Sequence, residues 1–314
     1  GGAMNRQQAS SILDIEQQGA YCYTYSDRHA PIARVQPGQR VRIHCVDCFE
    51  NRLTDESMRL GDVARFPYTN PQTGPVYVEG ATPGDTLAVH IEAIELTRDW
   101  AVTCLVPGFG LLTATAATRM LHAPLEQKVR KLPVRDGRVW FGDFSRPVAP
   151  FLGTLGTAPE LEAINTLTPW SYGGNMDCPE TCAGNTVHLP VNVEGALFFC
   201  GDGHAAQGDG EIGGVACEIP VNVTCRFEVI KDQAIRWPRI TNDEYLMTVG
   251  CARPLEDATR IACAELVEWV AGEKHMDAEE ALLWLSQVIE LRVGNVVDPN
   301  YAVVAKVHRR YVEG

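Results

Sequence analysis

No stretch of the 314-residue sequence approaches about 18 consecutive apolar residues, so a membrane-spanning helix is excluded and no membrane partner is expected. Positive charge is scarce as well: 27 Lys and Arg against 40 Asp and Glu leave a net charge of −13. A chain of that sign repels phosphate backbones, which argues against nucleic acid as a partner. The G-x-S-x-G elbow of many serine hydrolases is missing, and neither Ser145 nor Ser171 sits in a strand–turn–helix context. Low-complexity linkers and internal repeats are also lacking, which favours one compact assembly. The 11 cysteines form no even framework, and a chain of this size needs no disulfide staples. A reducing, cytoplasmic compartment is therefore expected. Gly1-Gly2-Ala3-Met4 reads as an expression scar ahead of a native Met4, with no apolar signal core behind it.

What the sequence does contain is turn chemistry: 28 glycines and 19 prolines punctuate short alternating runs. From Val215 to Val229, one parity carries Cys217, Ile219, Val221, Val223, Cys225, Phe227 and Val229. The other carries Glu218, Asn222, Thr224, Arg226 and Glu228, so the spacing predicts a long strand with one wet face. Thr86–Leu96 and Val187–Val193 alternate in the same way, and Pro190 suits an edge or a bulge. Helical spacing appears late. Leu255, Ala258, Ala262, Leu266 and Trp269 predict one amphipathic helix stopped at Gly272. Asp277 with Glu280 has the spacing of a capping box for a second helix running towards Gly294. The expected class is mainly β with accessory helices: a β-rich catalytic core over residues 5–240 and a helical part over 241–314 packed on it.

Chemistry gathers in glycine-flanked polar clusters. Residues 201–211, Gly-Asp-Gly-His-Ala-Ala-Gln-Gly-Asp-Gly-Glu, place Asp202, Asp209 and Glu211 with His204 and Gln207 in a backbone able to turn sharply. If the preceding strand continues, Asp202 and His204 share a face, an arrangement that suits a divalent metal. The alternative is a solvated loop of turn-forming Asp-Gly pairs. Tyr172-Gly173-Gly174-Asn175-Met176-Asp177 offers a second amide and carboxylate. In the third cluster, Asp47 falls on the apolar parity of Val41, Ile43 and Cys45 while His44 faces the other way. A buried Asp47 needs a metal or a proton to compensate it. Glu79, ahead of the Pro83-Gly84-Asp85 turn, reads as a cap or as a catalytic base.

The strings Gly174-Asn175-Met176-Asp177, Leu189-Pro190-Val191, Gly195-Ala196-Leu197-Phe198 and the whole of 201–211 resemble the signature of the acetamidase/formamidase family. The resemblance extends through Asp47-Cys48-Phe49, Gly74-Pro75, Glu79-Gly80-Ala81, Pro83-Gly84-Asp85, residues 153–159, residues 252–257 and Asn295-Val296-Val297-Asp298-Pro299, and so covers nearly the whole chain. Cys178, Cys182 and Arg52 depart from the pattern. The resemblance implies a β-sandwich core with accessory helices, hydrolysis of small amides to a carboxylate and ammonia, and dependence on a divalent metal, zinc. On that reading Asp47, Asp177, Asp202 and His204 surround the ion and one bound water. Glu211 or Glu79 serves as base and proton shuttle, with Asp209 as a further catalytic carboxylate. Asn175 and Gln207 position the amide substrate. Two alternatives stay open: a cysteine nucleophile among Cys45, Cys48, Cys178 and Cys200 with His204 as base, and a metal- or ligand-binding scaffold without turnover. Long edge strands and two amphipathic helices suit a homodimer.

Overall fold

Along Arg40–Cys45, Val41, Ile43 and Cys45 are buried while Arg40, Arg42 and His44 are partly exposed, as two-residue periodicity requires. In the computed structural model, which describes residues 11–113, 121 and 124–314, this strand belongs to a nine-stranded sheet. The proposed scar at residues 1–4 lies outside the described residues. From edge to edge the sheet runs Leu13–Ile15, Arg40–Cys45, Val221–Ile230, Thr86–Leu96, Thr186–Pro190, Arg239–Thr241, Tyr245–Ala252, Tyr301–His308 and Glu290–Asn295. Only the first pair is parallel. A five-stranded sheet of Gly173–Asn175, Phe151–Thr157, Phe198–His204, Gln72–Val78 and Ala33–Val35 stacks on it. The two layers share one apolar core, in which the rings of Phe198 and Phe227 meet edge to face at 5.1 Å. The protein is thus mainly β, with a sandwich core and accessory helices.

Two helices cover the outer face of the nine-stranded sheet. Leu255–Lys274 buries Ala258, Ala262, Leu266 and Val270, and Ala278–Leu285 buries Ala281 and Leu285. They pack on Val303, Ala305 and Val307, while Ala302 and Val304 of the same strand enter the sandwich core. Tyr301–His308 is therefore buried on both faces. Gly250 lets the long helix approach, since a Cβ there would overlap the Ala258 carbonyl and the Ala262 amide.

Several boundaries differ from the sequence expectation. The long strand starts only at Val221, just after Pro220, and residues 215–220 peel away towards the polar cluster. The first helix passes Gly272 and stops at Lys274, capped by His275 in the left-handed conformation at φ 52°. The second begins as expected, with the Asp277 side chain accepting the Glu280 N–H, but it ends at Leu285. Its apolar continuation instead leads into Glu290–Asn295, because pairing with Tyr301–His308 extends the sheet. Residues 241–314 consequently hold three strands of the main sheet as well as the two helices. Thr186–Pro190 is central rather than an edge, and Pro190 is its last residue, beyond the reach of the neighbouring Arg239–Thr241. Among the described residues, no helix is long and apolar enough to cross a membrane.

Candidate active site

The strand that carries Phe198 does continue, through Gly201, Asp202, Gly203 and His204. His204 is fully buried at its end, with the Phe151 ring edge-on at 4.9 Å. Four carboxylates surround its Nε2: Glu218 Oε1 at 3.1 Å, Asp202 Oδ1 at 3.2 Å, and Asp177 Oδ1 and Glu211 Oε2 at 3.9 Å each. A fifth, Asp298, lines the same cavity, and its charge acts on Asp177. Gly153, on the neighbouring strand, makes this crowding possible, because a Cβ there would overlap the Asp202 and Asp177 carboxylates. The backbone pays for the convergence. Asp177, Asp202 and Glu211 adopt φ of 52°, 58° and 48°, a left-handed conformation that is uncommon outside glycine and characteristic of functional sites.

Five buried carboxylates facing one imidazole perturb one another strongly. Burial, and then the Asp202 charge, push Glu218 up to about 8. Burial also drives Asp177 and Glu211 well above the ordinary carboxylate range, reinforced by Asp298 for the first and Asp177 for the second. Asp298 moves the same way, chiefly through burial. Burial alone would lower His204, but the Glu218 and Asp202 charges outweigh it and raise the imidazole well above its usual value. Asp202 moves the other way: the same imidazole overcomes its desolvation and holds it low.

These donors fit a divalent cation. Both Asp177 oxygens, Glu211 Oε2 and Glu218 Oε2 are buried without a hydrogen-bond partner, and among the described residues no Lys or Arg lines the cavity they face. Asp177, His204 and Glu211 form one group whose ligand atoms lie within 4.8 Å of one another, and Cys48, Asp202 and Glu218 form a second. Oxygen and imidazole donors of this kind suit a divalent first-row metal or a harder cation. Above them opens a cavity of about 500 Å³, with Phe49, Leu60, Phe66, Val106, Phe109 and Leu167 among its walls. A polar floor under apolar walls is the usual form of a small-molecule site.

Of the residues singled out in the sequence, Asp177, Asp202, His204, Glu211 and Asn175 come together here. The others lie elsewhere. Asp47 is fully buried but does not line the cavity, and protein groups compensate its charge. Its Oδ1 accepts the N–H groups of Phe49 and Asn51 at 2.9 and 2.8 Å, and its Oδ2 lies 3.0 Å from Arg98 Nη1. Glu79 sits at the surface, paired with Arg34 at 3.3 Å. Asp209 is exposed and 3.5 Å from Arg292, because Gly210 at φ 81° turns the chain between it and Glu211. Gln207 donates to the carbonyls of Asp177 and Gly294 at 2.8 and 3.0 Å, bracing the Asp177 backbone. His44 faces outward and pairs with Asp14 at 2.8 Å.

Glu218 and Asp298 were not among the residues the sequence singled out. Strict alternation placed Glu218 on a wet strand face, yet it lies in the segment before Val221 and is buried. Pro220 was the available signal, since a proline interrupts a ladder. Asp298 stood within a matched string without a visible partner. Three of the four candidate thiols are held in their protonated form, which disfavours them as nucleophiles. Burial raises Cys48 and Cys178 well above the ordinary range, with Glu218 adding to the effect at Cys48 and Glu180 at Cys178, and the hydrogen bond with the Cys45 thiol, then burial, raises Cys200 in the same way. Cys45 is itself buried beside Cys200.

Comparison with known proteins gives matches along most of the chain. A family model described as the Acetamidase/Formamidase family matches residues 15–165 and 160–309. An acetamidase of Mycolicibacterium smegmatis is 30% identical over 237 residues, which is 57% of this chain and 58% of that protein. A formamidase of Methylophilus methylotrophus is 28% identical over 236 residues, 58% of this chain and 56% of its own. The match thus spans under two thirds of either curated relative. A crystal structure of an acetamidase from Yersinia enterocolitica superposes with a TM-score of 0.94 at 37% identity, covering 97% of this chain and 94% of that one.

Proposed function

Because the chain belongs to the acetamidase/formamidase family, we propose that it hydrolyses a small linear amide to a carboxylate and ammonia in the cavity above His204. The observation that carries this reading is the set of buried carboxylates around His204 beneath an apolar-walled cavity of small-molecule size. An amide carbonyl is a weak electrophile and ammonia a poor leaving group, so the site must supply a nucleophile, stabilise the developing oxyanion and protonate nitrogen.

Asp177, His204 and Glu211, with Asp202 and Glu218 adjoining, would hold a divalent cation, zinc in this reading. Such a cation, when bound, polarises a carbonyl and acidifies water. The rest is the work of the chain. Glu218, at about 8, keeps its proton near neutrality and is suited to deliver it to the departing nitrogen. Glu211, whose own proton a bound cation would displace, is placed at the cavity to take a proton from water. Asn175 lines the cavity with its carboxamide, and one Nδ2 proton is committed to the Leu167 carbonyl at 3.3 Å, which leaves the other for substrate. The apolar walls exclude bulk water and strengthen each of these interactions. Raised thiols weigh against a cysteine nucleophile. A reducing cytoplasm and a homodimer complete the reading.

The test is ammonia release from formamide, acetamide and propionamide by protein of assayed metal content, before and after chelation and repletion with zinc. Turnover lost on chelation and restored by zinc is expected. Turnover indifferent to chelation would remove the cation from the mechanism, and tight metal binding without ammonia would leave a binding scaffold.

A further inference from the structure

Two polar atoms at the cavity take no part in the carboxylate cluster. Thr69 Oγ1 and Asn70 Oδ1 are both buried, both without a hydrogen-bond partner, and both belong to residues lining the cavity. A desolvated hydroxyl and carboxamide oxygen left unpaired are costly, and such atoms in a native site call for a ligand.

The orientation of Asn70 is fixed by its neighbours. Its Nδ2 donates to Thr154 Oγ1 at 3.1 Å and to the Thr166 carbonyl at 2.7 Å. Thr154 has one proton, and its shortest bond, 2.6 Å to Asn175 Oδ1, takes it. Thr154 can therefore only accept from Asn70. A flipped Asn70 would set oxygen against the Thr166 carbonyl oxygen and against a Thr154 hydroxyl with no proton to give. The unpaired atom is thus an oxygen, and an obligatory acceptor. The backbone is held as firmly: Thr166 Oγ1 donates its proton to the Asn70 carbonyl at 2.7 Å with the Thr69 carbonyl 3.1 Å away, and Asn70 sits at φ 63°.

A primary carboxamide offers one carbonyl acceptor and two N–H donors in a plane. We propose, building on the amidase reading above, that Thr69 and Asn70 are the specificity residues for the amide group. In this assignment the Thr69 hydroxyl donates to the substrate carbonyl and Asn70 Oδ1 accepts a substrate N–H. An ester of the same acid has no N–H to offer. The carboxylate product has none either, and Asn70 Oδ1 repels it. The pair therefore selects the amide and helps to expel the acid.

The experiment uses full-length, metal-loaded protein. kcat and KM are measured for acetamide or formamide, whichever turns over faster, and the corresponding methyl ester is measured as an inhibitor of that turnover. Asn70→Ala is expected to lower kcat/KM for the amide about tenfold or more, the worth of one hydrogen bond of roughly 1.4 kcal/mol, while the ester inhibition constant stays within about twofold. Thr69→Val, nearly isosteric and removing no hydrogen bond made within the protein by that hydroxyl, is expected to weaken amide and ester together, since both present a carbonyl. Asn70→Ala weakening both ligands alike, or neither, would overturn the assignment of the acceptor. Unchanged constants for Thr69→Val would overturn that of the donor, whether or not Asn70→Ala folds. Wild-type protein releasing no ammonia would overturn the amidase reading itself and this inference with it, an outcome distinct from active wild-type protein with indifferent variants.

Discussion

Gly153 and Asp202 face each other across antiparallel strands with no room between them for a methyl group. The site is closed at this point by the absence of a side chain. The dense packing that brings Asp202 and Asp177 onto His204 therefore depends on a residue with no chemistry of its own.

Gly153→Ala tests this directly. The φ of Gly153 is not in the left-handed region, so alanine fits the backbone and only the contact with the carboxylates is strained. Overpacking of this kind costs about 1–3 kcal/mol, read as a lower midpoint of chemical unfolding, and ammonia release should fall with it. In an Asp202→Ala background the same change should cost clearly less. Equal costs in both backgrounds would mean that Asp202 is not what the new methyl meets.

Glu218→Gln keeps the shape and removes the titratable proton. Loss of one acid–base group should lower kcat by about 10²–10⁴ with KM changed only a few-fold. Stability should hold or rise, because one buried carboxylate fewer faces Asp202. Wild-type kcat in this variant would return the proton transfer to Glu211.

Stability of the chelated protein should depend on pH in a definite direction. Glu218 binds its proton more tightly when folded, at about 8, than when unfolded near the ordinary 4.5. The unfolded chain therefore loses that proton first as pH rises, and folding stability declines across about 4.5 to 8. Asp177, Glu211 and Asp298 shift in the same direction, and so does His204, whose raised value gives stability at low pH that is lost as pH rises; Asp202 opposes them. Saturating zinc should flatten the slope by replacing the protons of the residues that would hold it, Asp177, His204 and Glu211. Melting curves at stepped pH, with and without zinc, decide it, and parallel curves would contradict the cation fit.

Asp85 supplies the opposite sign far from the cavity. Burial would raise it, but the 2.6 Å bond from Lys231 and the N–H groups of Asp232 and Thr82 overcome this and hold it at about 2. Its contribution is present above the ordinary 3.8 and is lost as pH falls through about 2. Asp85→Asn should cost about 1–3 kcal/mol at neutral pH, and the difference from wild type should shrink over that acid window in urea titrations.

The sandwich and the two C-terminal helices were legible because they rest on local period: two-residue alternation in Arg40–Cys45, three- and four-residue spacing after Pro254. Asp202 and His204 were legible for the same reason, since one strand carries both on one face. What escaped rests on contacts between distant segments. Arg98, which compensates Asp47, comes from a different strand connection, and nothing near Asp47 announces it. Asp209 and Glu211 look equivalent until Gly210 turns the chain between them. Glu218 has the right parity for solvent and the wrong backbone for a strand.

The Tyr301–His308 strand, apolar on both faces, belongs to the sandwich through Ala302 and Val304 and to the helical layer through Val303, Ala305 and Val307. It acts as a party wall. Its removal would strip a buried face from both layers, so residues 241–314 pack as part of the sandwich rather than as an appendage beside it. Recombination across residue 240 would have to carry both sides of the wall together, and a protease that frees this strand should release the whole chain in one step rather than leave a trimmed sandwich behind.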